Sequence, residues 1–253
     1  MRKKRWIFLI ALLVLITGDY IKRRDFFHAE TDVKYKEYNS LNVLAPEGYK
    51  VHGIDVSRHN GEIWWKKISE VSIDSQKIAF VFVKSTEGMF FSDREFLDNW
   101  NSAKEQKILR GAYHYFRPMY SSSFQAWNFI LSSGLKSGDL PPVLDIEVDE
   151  GYSNMNLVLK LKKWIKIVEK HYNTKPIIYT NMAFYKRLIK GNFDDYPVWI
   201  AKYKNEKPVL GDSLTWNFWQ YTDKGTLYGI NEKVDLNVFD GSLEDLKKMC
   251  LKK

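Results

Sequence analysis

Residues 142–148, Pro-Val-Leu-Asp-Ile-Glu-Val, place two carboxylates two positions apart in an otherwise apolar run. In a strand, successive side chains point to opposite faces, so Val143, Asp145 and Glu147 share one face and Leu144, Ile146 and Val148 the other. Burying two acids on one face is costly unless chemistry needs them there. A close carboxylate pair serves general acid/base work, above all cleavage of a glycosidic bond. The plainer alternative is an Asp/Glu pair at a strand end, solvated or holding a loop. Two further acids sit in similar settings. Asp55 lies between Ile54 and Val56 and shares a face with Gly53, while Asp235 lies between Val234 and Leu236. Four carboxylates from three separated segments could therefore converge on one cleft.

Such a cleft needs a scaffold, and the chain alternates strand and helix patterns. Runs at 51–56, 78–84, 108–116, 142–148 and 176–180 read as strands. Helical patterns lie between them at roughly 62–70, 94–106, 122–134 and 155–171. Leu157, Leu161, Trp164, Ile165 and Val168 keep helical spacing over about three turns. A fifth helix is expected near 182–190. Strands around 197–203, 214–221 and 233–238 then follow with little helix between them, before a closing helix at 243–250. Repeated βα units imply a parallel sheet covered by helices, and eight strands in about 200 residues suggest a closed barrel. An open doubly wound sheet is the rival, but no glycine-rich phosphate loop follows the first strand. In a barrel the chemistry collects at the carboxyl ends of the strands.

The amino terminus reads separately. Four basic residues precede the uncharged, mostly apolar run Trp6–Thr17, the pattern of an export signal. The run is short for a membrane span unless Gly18, Tyr20 and Ile21 extend it. It lacks both an A-x-A cleavage site and a lipidation cysteine. Residues 1–24 are thus expected to be a signal peptide or membrane anchor, 25–48 a linker, and 49–253 the barrel domain. The body would lie outside the cytoplasm, anchored or, if the signal is cleaved, secreted. This segment also explains the net charge of +8. Arg2, Lys3, Lys4, Arg5, Lys22, Arg23 and Arg24 against Asp19 account for +6 of it, leaving the body at +2. A nearly neutral body gives no reason to propose nucleic-acid binding. One cysteine, Cys250, excludes an internal disulfide.

The motifs, taken in order, resemble the family 25 glycoside hydrolases, the Chalaropsis-type lysozymes or N-acetylmuramidases. The matching segments are Gly53–Ser57, Phe82–Gly88, Gly111–Phe116, Leu144–Glu147, Ile178–Thr180, Trp199–Tyr203, Trp219–Tyr221, and Gly229–Ile230 leading to Val234–Asn237. They span about residues 50–240 and carry all four acids. The resemblance implies a TIM-like (β/α)5β3 barrel and hydrolysis of peptidoglycan glycan strands with retention, needing no cofactor or metal. It implies Glu147 as proton donor and Asp145 as an ionised stabiliser of the transition state. The nucleophile is then either an Asp or the substrate's own N-acetyl oxygen. Asp55 and Asp235 would tune the field or, more plainly, close the barrel by hydrogen bonds. Tyr113 and Tyr179 are candidates for hydrogen bonds to the N-acetyl group, Trp199 for stacking on a sugar, and Gln220 for a polar contact. Lys84 and Glu87 are expected to form a salt bridge, and His114 to pack or hydrogen-bond locally. The alternatives are a catalytically silent wall-binding or scaffold module, and a chitinase-like N-acetylhexosaminidase. The latter is disfavoured because only the final D-x-E of its D-x-x-D-x-D-x-E signature is present.

Overall fold

A computed structural model describes residues 33–38, 43–73, 75–203, 206–211 and 214–252. Eight strands close a barrel: β1 (Val51–Val56), β2 (Gln76–Glu87), β3 (Leu109–Tyr115), β4 (Val143–Asp145), β5 (Ile177–Asn181), β6 (Val198–Ala201), β7 (Phe218–Gly225) and β8 (Val234–Phe239). Pairing runs β1-β8-β7-β6-β5-β4-β3-β2, and β2 returns to β1. Strands β1 to β7 are parallel wherever they pair with one another, whereas β8 is antiparallel to both of its neighbours.

Helices follow the early strands: α1 (Trp65–Glu70), α2 (Phe96–Glu105), α3 (Ser122–Ser133) and α4 (Asn154–Tyr172). The expected helix at 182–190 is instead one α-turn, α5 (Met182–Phe184), running into a π-helical turn at Tyr185–Ile189. Asn181 caps it by accepting from the amides of Ala183 and Phe184. The wider turn brings Tyr185, Leu188 and Ile189 into the core together. Among the described residues, no helix separates β6, β7 and β8, and α6 (Leu243–Met249) closes the fold.

Alternation sorts the sheet's residues into two cores. Outward residues such as Ile54, Val81, Leu144, Ile146, Ile178 and Ile200 pack beneath the helices, among them Leu161, Trp164 and Val168 of α4. Inward residues Val51, Phe80, Phe82, Val143, Ile177, Trp199, Phe218 and Phe239 fill the barrel, with Leu140 and Leu246 in the same cluster. Two glycines make room for the rings. A Cβ on Gly53 would lie 2.4 Å from the Phe80 ring, and one on Gly111 would lie 2.6 Å from Phe82. Side chains there would need the barrel to expand.

Within the stretch expected as a linker, Tyr35–Tyr38 and Val43–Pro46 form an antiparallel pair. Tyr35 meets Trp219 and Tyr221 of β7 edge-on, with centroids 6.5 and 6.4 Å apart. These residues therefore belong to the packed body. The predicted signal or anchor lies outside the described residues. Among the described residues, no helix is long and apolar enough to cross a membrane.

Candidate active site

Along each strand the inward residues change from apolar to polar towards one rim. Val51 and Gly53 lead to Asp55; Phe80 and Phe82 lead to Lys84; Gly111 leads to Tyr113 and Tyr115; Val143 leads to Asp145 and Glu147. The strand at 142–148 is shorter than expected. Beyond Asp145 the backbone still follows β5, since the Ile146 amide donates to the Tyr179 carbonyl at 3.1 Å and Thr180 Oγ1 donates to the Ile146 carbonyl at 2.7 Å. The alternation therefore carries on, and Glu147 stays on the inner side. Asp235 reaches this rim by a different route from the one expected. It stands at the amino-terminal end of β8, and because β8 is reversed, that end meets the carboxyl end of β1, with Asp235 paired directly to Asp55.

The four acids line one cleft of about 240 Å³ with Lys84, His59, Tyr113, Tyr115, Tyr179, Trp199, Tyr203 and Gln220. All four carboxyls have pKa values above the usual range, chiefly because burial penalises the charged form. Asp55 is the best supported as an anion. Its Oδ2 accepts from Gln220 Nε2 at 2.9 Å and from Asn237 Nδ2 at 2.7 Å. Asp235, hydrogen-bonded to it, is pushed higher by burial and by the Asp55 charge, so the proton of this pair rests on Asp235.

In the second pair, burial and then the Glu147 charge drive Asp145 well above its ordinary value. Glu147 is raised by burial and by Asp55, but a hydrogen bond from Asp145 opposes the rise. Both carboxyls are thus held towards the protonated form, Asp145 the more strongly. Asp145 is the more deeply buried of the two, whereas the sequence expectation has Asp145 ionised beside a protonated Glu147. Asp145 Oδ1 is also buried without a hydrogen-bond partner.

A family model, that of glycosyl hydrolases family 25, matches residues 54–230. The chain belongs to glycosyl hydrolases family 25. It is 38% identical over 256 residues to the uncharacterized protein YegX of Escherichia coli O6:H1, covering 97% of this chain and 94% of that one. It is 34% identical over 206 residues to lysozyme M1 of Streptomyces globisporus, covering 76% and 68% of the two chains. A family 25 glycosyl hydrolase structure from Bacillus anthracis superposes with a TM-score of 0.73 at 34% identity, over 80% of this chain and 94% of that one. The closed barrel and the enzyme class, a glycoside hydrolase of the lysozyme type, thus stand on family membership as well as on fold.

Within this family 25 hydrolase, the expected binding residues reach the cleft in unequal roles. Tyr113 is partly buried where it lines the cleft, and desolvation raises its pKa well above the ordinary value, so its phenol stays protonated. Tyr179 donates to Gln220 Oε1 at 2.8 Å. Gln220 is occupied on both sides, accepting from Tyr179 and Tyr203 and donating to Asp55, so it orients the acid. Trp199 does not offer a free stacking face. It is 2% exposed, lies against Phe82 with centroids 4.6 Å apart, takes the Tyr179 edge at 4.4 Å, and donates to Asn237 Oδ1 at 2.8 Å.

The exposed ring at the rim is Tyr203, at 49%, whose hydroxyl donates to Gln220 at 2.6 Å. Tyr115 and Asn237, not among the expected site residues, lie two positions from Tyr113 and Asp235, and Tyr203, also not among them, lies four from Trp199, each on the same face as its neighbour. Lys84 and Glu87 pair at 2.8 Å as expected. His114 faces away from the cleft. Its Nδ1 accepts from Thr86 Oγ1 at 2.8 Å, and its Nε2 lies 3.1 Å from Gln125 Oε1. Burial pushes it down to about 4, so it is neutral. Among the described residues, no group of three His, Cys, Asp or Glu side chains is arranged to hold a metal ion.

Proposed function

We propose that this family 25 hydrolase is a muramidase that cleaves, with retention, the β-1,4 bond between N-acetylmuramic acid and N-acetylglucosamine in peptidoglycan. The observation that supports the reading is the Asp145/Glu147 pair, two carboxyls hydrogen-bonded to each other in the cleft, with one oxygen, Asp145 Oδ1, buried and unpartnered. An amide N–H of an N-acetyl sugar is the donor that this oxygen lacks. Accepting it stabilises the Asp145 anion and favours the proton on Glu147, which becomes the acid when substrate is seated.

Glu147 then protonates the leaving glycosidic oxygen as the C1–O bond breaks. The acetamido oxygen attacks C1, and Asp145 holds the amide while positive charge develops. Water next attacks C1 from the original face, giving its proton to Glu147, and the acetamido group is restored. Two inversions give net retention. The Asp55/Asp235 pair shapes the field, and no cofactor takes part. The lysozyme function of the Streptomyces relative supports the same substrate class. Export, with residues 1–24 as signal or anchor and the barrel outside the cytoplasm, follows from the basic-then-apolar amino terminus.

Mass spectrometry of the products from purified peptidoglycan tests the proposal. Fragments ending in reducing N-acetylmuramic acid are expected. Reducing N-acetylglucosamine ends would make the enzyme a glucosaminidase. Wall binding without cleavage would make the barrel a scaffold module.

A further inference from the structure

One guanidinium ties three strand ends together at the catalytic rim. Arg117 follows β3. Its Nη1 donates to Glu87 Oε1 at 3.1 Å, at the end of β2, and its Nε donates to Glu150 Oε1 at 2.5 Å, in the loop after β4. The other oxygen of each acid is also engaged. Glu87 Oε2 accepts from Lys84 Nζ at 2.8 Å, and that ammonium lies 4.8 Å over the Tyr115 ring within the cleft. Glu150 Oε2 accepts from the Met119 amide at 2.6 Å.

Glu150 stands three residues beyond Glu147 in an unfavourable backbone conformation. Its φ is +47° and that of Gly151 is +80°, and the Tyr152 amide donates to the Asp149 carbonyl at 2.9 Å. Two consecutive positive φ values make a turn whose first central position suits Asn, Asp or Gly. A glutamate is poorly suited to that position by its backbone preference. What it supplies is a carboxylate long enough to meet both Arg117 and the Met119 amide. Arg117 does not itself line the cleft.

We propose that Arg117 is a positioning residue for the catalytic step: through Glu150 it fixes the loop that carries Glu147, and through Glu87 it fixes Lys84 in the same cleft. The proposal rests on the reading of Glu147 as the acid. Its signature is a fall in kcat with little change in KM, because the clamp touches the reacting groups indirectly and the substrate not at all. Small displacements of a catalytic group cost rate steeply.

The decisive variant is Glu150→Asn, which improves the turn while removing the reach to Arg117. The melting temperature should be unchanged or higher, and kcat on peptidoglycan fragments should fall about ten-fold or more, with KM within about two-fold. Glu150→Gln, which keeps the length, should recover part of the loss, and Arg117→Met, which also releases Glu87, should lower kcat at least as far as Glu150→Asn. Glu147→Gln is run beside them. Wild-type kcat in Glu150→Asn, with Glu147→Gln inactive, would overturn the clamp and leave the acid assignment standing. Full activity in Glu147→Gln would overturn both.

Discussion

The cleft holds two carboxyl pairs that differ in how completely the protein satisfies them. Asp55 and Asp235 face each other across β1 and β8, and two amide donors from β7 and β8 saturate one Asp55 oxygen. Those donors are themselves held, Gln220 by Tyr179 and Tyr203, and Asn237 by Trp199. Asp145 and Glu147 lie on one strand and its extension, hydrogen-bond to each other, and leave Asp145 Oδ1 without a partner. A pair enclosed by its own hydrogen bonds is built to stay fixed. A pair short of one donor is built to receive it from something else. Depth of burial is common to both, so the difference lies in the hydrogen bonds.

The contrast can be broken by substitution. Asp145→Asn should lower kcat by about 10²–10⁴-fold, the usual worth of a positioned acid/base group, while the melting temperature holds. Asp55→Asn keeps an acceptor for both amides and should cost about ten-fold or less, on the same scale. Comparable kcat losses in the two variants would erase the distinction.

Stability should separate the pairs in another way. Asp55→Ala strands the Gln220 and Asn237 amides in a buried site and should cost about 1–3 kcal/mol in denaturant unfolding. The pH dependence has a definite sign. A carboxyl whose native pKa is raised adds stability that is full below its ordinary pKa and is lost as pH rises through the raised value. Asp235 is such a group. Asp235→Asn carries no such loss, so its melting temperature should exceed the wild type by about 2–4 °C at pH 7 and by less at pH 4. An equal gain at both pH values would mean that the charge is not the cause. The smallest effect is expected from Tyr203→Phe, which removes one of two donors to Gln220. It should lower kcat/KM a few-fold and leave the pH profile in place.

Much of this was written in the alternation of the strands. Asp55, Asp145 and Glu147 were placed by counting positions, and the same count leads to Tyr115, Tyr203 and Asn237. Direction was harder to read. The apolar neighbours of Asp235 show that it lies in a strand, but not that β8 runs backwards. Depth was hidden too, because a tryptophan in a strand has a face, yet nothing in the sequence near Trp199 says that Phe82 and Tyr179 cover it. The mixed charges of Lys34, Lys36 and Glu37 gave no periodicity, and the pairing that orders Tyr35–Tyr38 became visible only against β7. Arg117 and Glu150 stand 33 residues apart, and no local spacing rule joins them.

The central claim is that the open pair performs the chemistry and that Glu147 supplies its proton. The most direct test is the turnover of Glu147→Gln on peptidoglycan, measured beside Asp55→Asn at matched folded concentration. A loss of about 10²–10⁴-fold is expected in Glu147→Gln against about ten-fold or less in Asp55→Asn. A Glu147→Gln enzyme that turns over as fast as Asp55→Asn, or faster, would contradict it.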